Sequence, residues 1–170
     1  HLFIVGTDGW QSYAKENGSL ERIRWTGGEM LLPESVETRK NGLIIRFNEF
    51  IDPQSLDVDK VFASQWNYLH SDAYGSPEYS VRQPGITGHD PVKIRSLHTL
   101  EDGKSIFVEI PQLHPVMQFH LYLELKTRDG RPFTPDLYYS IFHQGKEFTD
   151  FPGYQKIAKE IWNDFPHPDK

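Results

Sequence analysis

The chain begins with a histidine, the first residue whose type and position could do chemistry. A free N-terminal histidine can bind one copper ion through its α-amino and ring nitrogens, because copper favours amine and imidazole ligands. A second imidazole completes such a histidine brace. If His1 is the mature N-terminus, copper would bind there, with His70 or His89 as the preferred partner because both lie in a long aromatic segment. Four more histidines could supply that second ring: His98, His114, His120 and His143.

The segment from Trp66 to Tyr79 is the second candidate site. Its rings are those of Trp66, Tyr68, Tyr74 and Tyr79, and amide and carboxylate side chains stand between them. Aromatic faces with polar neighbours suit stacking on sugar rings, whose hydroxyls the polar groups bond. The same rings could instead pack in a core, with the tyrosine hydroxyls capping loop backbone. The sequence leaves both interpretations open.

Other residues that bear chemistry form no recognisable catalytic set. Asp52, Asp57 and Asp59 could hold calcium, but their spacing is not that of an EF-hand and a solvated loop is favoured. The chain has no G-x-S-x-G motif, no phosphate-binding glycine loop and no glycosidase carboxylate motif. It has no cysteine, which excludes thiolate ligands and covalent haem attachment within it. We therefore expect no catalytic residue.

The charge balance argues against two classes of partner. The 170 residues carry 18 basic and 24 acidic side chains, a formal net charge of −6. Nucleic acids and anionic membranes both attract clustered positive charge, so we expect neither as a partner. No apolar run approaches the roughly 20 residues that cross a bilayer, so we expect no membrane insertion.

Alternating hydrophobicity predicts an all-β fold. In Val61–Tyr68, the side chains of Phe62, Ser64, Trp66 and Tyr68 share one face. In Phe119–Leu125, the phenylalanine and three leucines face inward while His120 faces outward. About eight such strands, separated by turn signals such as Asn41-Gly42, predict an Ig-like β-sandwich.

One segment has a helical period. Tyr154, Ile157, Ala158, Ile161 and Trp162 follow the spacing of an apolar helix stripe after Pro-Gly. We therefore expect a C-terminal helix, and two regions: a sandwich over residues 1–145 and a helical tail or linker over 146–170.

Several motifs carry a resemblance to known proteins. The middle of the chain resembles bacterial Ig-like domains, from Leu43–Phe47 through Ile51-Asp52-Pro53 to the turn at Asp129–Pro132. A narrower likeness covers residues 2–142. Its motifs are Gly9-Trp10-Gln11, Gln65–Tyr68, Tyr74–Pro77, Gly88–Val92 and Val116–Gln118. Together these resemble an accessory domain of large secreted haem-containing dehydrogenase-like proteins of Planctomycetes and Verrucomicrobia. In those proteins the domain stands beside a sugar-dehydrogenase propeller and a c-type cytochrome module.

This resemblance implies a non-catalytic binding or scaffolding module of a secreted or periplasmic redox protein. Its partners would be the neighbouring domains and a glycan, and no cofactor would lie within the chain. The alternative is a copper protein, since the histidine brace is similar to that of copper carriers and lytic polysaccharide monooxygenases. The carriers have Asp-x-His in a turn where this chain has Asp129-Gly130-Arg131, so the second ligand would come from another loop.

Overall fold

The computed structural model describes residues 2–7, 18–28, 30–70 and 74–162. Two 3-10 turns, Pro53–Ser55 and Val58–Lys60, are the helical elements within these ranges. The rest of the regular structure is strand, which confirms the all-β class. In chain order the strands are β1 (Leu2–Thr7), β2 (Gly18–Ile23), β3 (Pro33–Arg39), β4 (Gly42–Phe47), β5 (Val61–Tyr68), β6 (Glu78–Tyr79), β7 (Asp90–Pro91), β8 (Ser96–Thr99), β9 (Ser105–Glu109), β10 (Val116–Leu123), β11 (Leu125–Lys126), β12 (Pro132–Phe133) and β13 (Asp136–Ile141).

The contacts divide the chain into two units, one within residues 1–30 and one within 31–170. The first unit contains the antiparallel hairpin β1–β2, which pairs Leu2 with Ile23. Its large apolar side chains are exposed, with Val5 at 74% and Leu20 at 73% of full exposure. The predicted boundary at residue 145 stays a prediction. Residues 146–162 pack within the second unit.

Two larger antiparallel sheets and a two-stranded sheet, β11-β12, build the second unit. The first has the strand order β3-β4-β9-β8, and the second has the order β13-β10-β5-β6, with β7 also paired to β5. The strands of this unit with four or more residues are β3, β4, β5, β8, β9, β10 and β13. If these seven are renumbered 1 to 7 along the chain, the first sheet has the order 1-2-5-4 and the second has the order 3-6-7. These strand orders match those of the two sheets in an immunoglobulin constant-type sandwich. No helix among the described residues is long and apolar enough to span a membrane.

Alternation along the strands builds the core between the sheets. Leu43, Ile45 and Phe47 of β4 are fully buried, and they share one cluster with Phe119 and Leu121 of β10. The predicted inward face of β10 is confirmed, because Phe119, Leu121 and Leu123 are buried while His120 is not. Each sheet therefore has an outer face that the shared core does not use.

The predicted C-terminal helix is wrong over residues 154–162, which have no regular secondary structure. We name residues 144–162 the strap. Gly145 N–H donates to Thr38 O at the end of β3, and Phe148 exchanges two hydrogen bonds with the Asn41 side chain, of 2.7 and 2.8 Å. Phe148 and Phe151 then cover Phe107 on the outer face of the first sheet.

The far end of the strap is held by side chains of the loop between β9 and β10. The Gln112 side chain donates to Ala158 O and accepts from Glu160 N–H, so it replaces bonds that helix backbone would make internally. Trp162 stacks on His114 with 3.8 Å between ring centroids. A helix this short is marginal on its own. Separate hydrogen bonds and ring contacts along the strap therefore hold it in place, instead of the single apolar face that a helix would bury.

Candidate functional site

The outer face of the second sheet carries a groove of about 480 Å³. The register of the strands brings its side chains into rows. Ser64 of β5 lies beside His120 of β10, and His120 lies beside Tyr138 of β13. These positions are outward because their neighbours along each strand point into the core. The groove is lined by Phe62, Ser64, Trp66, Glu78, His89, Pro91, His120 and Tyr138.

One side of the groove is built on Trp66. The His89 imidazole lies flat on the indole, with 3.9 Å between centroids and 5° between ring planes. His89 Nε2 lies 2.5 Å from Glu78 Oε2, which fixes the ring in its plane. The indole N–H donates to the Tyr68 hydroxyl at 3.0 Å. Trp66 is therefore a largely buried support that lines the groove together with His89.

The other side repeats this arrangement with different residues. The His120 imidazole stacks on the Tyr138 ring at 4.2 Å and 5°, and its Nε2 lies 2.6 Å from Asp136 Oδ1. Phe62 meets the edge of the same imidazole at 5.7 Å. Two imidazoles, each backed by an aromatic ring and tied to a carboxylate, therefore face one groove.

Asp90 positions the loop that carries Glu78 and His89. Its carboxylate is 8% exposed and accepts three hydrogen bonds, from Ser80 Oγ at 2.7 Å, Val81 N–H at 2.6 Å and Arg82 N–H at 2.9 Å. Charge-assisted bonds of this kind are stronger than neutral ones. The loop from β6 to β7 thus folds around a buried acid.

Phe62 and Tyr138 offer rings to a ligand. Phe62 is 51% and Tyr138 is 56% exposed, whereas Trp66 is 5% exposed. Next to them on β10, burial and the carboxylates of Glu124 and Asp136 raise the pKa of Tyr122 above its usual value. The surface combines open rings, carboxylates, imidazole edges and a phenol hydroxyl.

The predicted aromatic platform is not brought together as a set. Trp66 and Tyr68 bond each other, but His89 covers the indole face that a sugar would need. Tyr74 is fully exposed outside the groove, and Tyr79 pairs with Asn67 at the sheet edge. The segment does reach the groove, through Trp66 and Glu78.

The copper site stays a prediction. His1 lies outside the described residues, and His70 is exposed. His89 is part of the groove, where its Nε2 is occupied by Glu78. Within the described ranges, no three acidic or histidine side chains are grouped as a metal would require.

The three aspartates considered for calcium lie at the two 3-10 turns. Asp52 and Asp57 accept from the backbone N–H groups of Gln54 and Asp59, which are the bonds of helix N-caps. This geometry gives the solvated-loop interpretation its physical basis.

Sequence reasoning missed Phe62, Asp136 and Tyr138 as site residues, and it considered His120 only as a possible copper ligand. The alternation of β10 did indicate that His120 faces outward, and the alternation of β5 put Phe62 on the same face as Ser64 and Trp66. The missing information was the register, which sets His120 between Ser64 and Tyr138. Neither a scan against protein-family models nor a search of curated proteins finds a match to this chain.

Proposed function

We propose that this chain is a non-catalytic carbohydrate-binding module, and that the groove on the outer face of the second sheet is its binding site. The observation that carries this proposal is the pairing of half-exposed Phe62 and Tyr138 rings with two carboxylate-held imidazoles in one groove. Flat apolar rings stack on the C–H faces of sugars, and fixed polar edges bond their hydroxyls.

The setting of the module comes from the resemblance of its motifs to accessory domains of secreted haem-containing dehydrogenase-like proteins. We propose a periplasmic or extracellular location, in a parent redox protein whose neighbouring domains are its other partners. An Ig-like sandwich suits both roles, because it holds loops and outer faces on a rigid frame. In this proposal the chain itself holds no cofactor and does no chemistry.

The test measures retention of the whole chain on insoluble polysaccharides and on a broad glycan array. Phe62→Ala and Tyr138→Ala should each weaken binding roughly fivefold to tenfold, since one stacking ring contributes about 1 kcal/mol beyond burial. Phe142→Ala is the matched control, because Phe142 is 70% exposed and lies outside the groove. Binding to no glycan at all, or an equal loss in the control variant, would contradict the proposal.

A further inference from the structure

A second groove, of about 630 Å³, opens on the first sheet. It lies between the turn that joins β8 to β9 and the middle of the strap. On one side it is lined by residues 98–102, and on the other by residues 148–152. None of these residues belongs to the proposed carbohydrate site.

The apolar wall of this groove is fixed in place. Phe148 and Phe151 contact Phe107, with ring centroids 4.8 and 4.9 Å apart, and Phe151 also lies 4.8 Å from His98. The two hydrogen bonds between the Asn41 side chain and the Phe148 backbone hold this part of the strap against the first sheet. A ligand would therefore meet a preformed wall, which lowers the entropic cost of binding.

The rim is acidic. Glu101 and Asp150 are exposed on opposite sides of the groove, and neither has a salt-bridge partner among the residues that the structure describes. The third acid, Asp102, is already bound to Arg46 at 2.6 Å and to Ser105. Two carboxylates therefore remain free to meet a cationic ligand.

The groove also borders an edge strand. β8 pairs with β9 on one side, and no described strand pairs with its other side. Edge strands leave a row of backbone N–H and C=O groups that an added extended chain can pair with. At the same place the Thr99 hydroxyl is buried without a hydrogen-bond partner in the described structure.

We propose that this groove binds an extended basic peptide segment. An extended peptide supplies backbone groups for the β8 edge, and every second side chain points to the same side. Apolar side chains would then rest on Phe148 and Phe151, while lysine or arginine side chains reach Glu101 and Asp150. The complementary charge favours a basic peptide over an acidic one.

The test uses the whole chain and a fluorescent peptide in which lysine alternates with valine, followed by anisotropy at low salt. A Glu101→Lys, Asp150→Lys double variant should bind roughly tenfold more weakly, because two attractions become repulsions at the rim. Asp59→Lys makes the same kind of charge change at the turn before β5 and should leave binding unchanged. In NMR spectra, the amides of β8 should shift when the peptide is added.

Four results would overturn the proposal. The first two are that the lysine peptide does not bind, or that a peptide with glutamate in place of lysine binds equally well. The other two are that Asp59→Lys weakens binding as much as the double variant does, or that spermine displaces the peptide when it is added at the same concentration of positive charge. The last two would show that net charge alone attracts the peptide. Because none of these variants changes the outer face of the second sheet, glycan retention in the double variant separates failure here from failure of the carbohydrate proposal.

Discussion

The imidazole of His89 and the indole of Trp66 form a parallel stack, with 3.9 Å between ring centroids. This contact joins the loop between β6 and β7 to the centre of the second sheet. Trp66 is a candidate sugar-stacking ring in the sequence, but in the structure the imidazole of His89 lies on its indole. Substituting Trp66 would therefore disturb the fold, and substitutions at the rim are the cleaner probes of binding.

Removal of the His89 ring should uncover Trp66. We expect His89→Ala to shift part of the tryptophan emission to longer wavelength, and to lower the free energy of unfolding by about 0.5–1.5 kcal/mol. The measurement is the difference in fluorescence between this variant and the parent chain, followed by urea unfolding. His70→Ala is the control, since His70 is exposed and should change neither property. Unchanged emission in His89→Ala would show that the stack does not persist in solution.

Loss of the Asp90 carboxylate should loosen the loop that carries Glu78 and His89. Asp90→Ala removes the acceptor of three hydrogen bonds. We expect a loss of about 2–4 kcal/mol in the free energy of unfolding, because buried donors are left unsatisfied. Urea unfolding measures this loss, and Asp59→Ala should stay within about 0.5 kcal/mol as an exposed control. Equal effects of the two substitutions would refute the assigned role of Asp90.

Gly42 should accept no side chain. Its φ is 156°, and a Cβ built there would lie 2.1 Å from Val108 O and 2.8 Å from the Phe107 ring. Gly42→Ala must therefore separate β4 from β9, and we expect it to cost about 2–3 kcal/mol. A Cβ at Gly28 would meet no atom within 4 Å, so Gly28→Ala is the matched control. Thermal unfolding compares the two variants, and similar melting temperatures would contradict the prediction.

The end of the strap should weaken in acid. Burial, with a further contribution from Lys159, lowers the pKa of His114 from 6.5 to about 4. Between these two values the unfolded chain binds more protons than the folded chain, so stability falls as the pH falls from 6.5 towards 4. We expect this fall in pH to lower the free energy of unfolding by about 1–2 kcal/mol. This is less than the full pKa shift would give, because the imidazole is partly exposed to solvent.

His114→Phe isolates this effect, because it keeps a ring against Trp162 and removes the titrating group. Urea unfolding at pH 7 and at pH 4.5 should show a smaller pH dependence for the variant than for the parent chain. Other acids in the chain titrate equally in both proteins and cancel in the comparison. An identical pH dependence would mean that His114 does not contribute.

The strand faces could be predicted from the sequence because they depend on local alternation. Phe119 and Leu121 point inward and His120 outward, as the period of two requires. The turn at Asn41-Gly42 is also local, and β3 and β4 pair across it from Arg39 and Gly42. These features depend on residues that are close together along the chain.

The site and the strap depend on contacts between residues that are far apart along the chain. The local sequence pattern therefore predicted the wrong structure for the strap, and it gave no indication of the ring stack in the site. Tyr154 to Trp162 has a helical period, yet the strap is not helical and the Gln112 side chain makes two hydrogen bonds to its backbone. His89 covers Trp66 from 23 positions further along the chain. No local pattern reports that contact, so the sequence could not decide whether these rings form a sugar platform or pack within the fold.

The strap also determines how the second unit responds to tension applied beyond Trp162. Its anchors follow one another along the chain, from Trp162 on His114, through the Gln112 bonds, to Phe148 on Asn41. A pull from that side loads them one after another, so the strap peels in small steps that each break few bonds. Detachment of the whole strap would release its 19 residues, 144–162, before the load reaches the strands. We therefore expect the strap to detach under such a force before the sandwich unfolds.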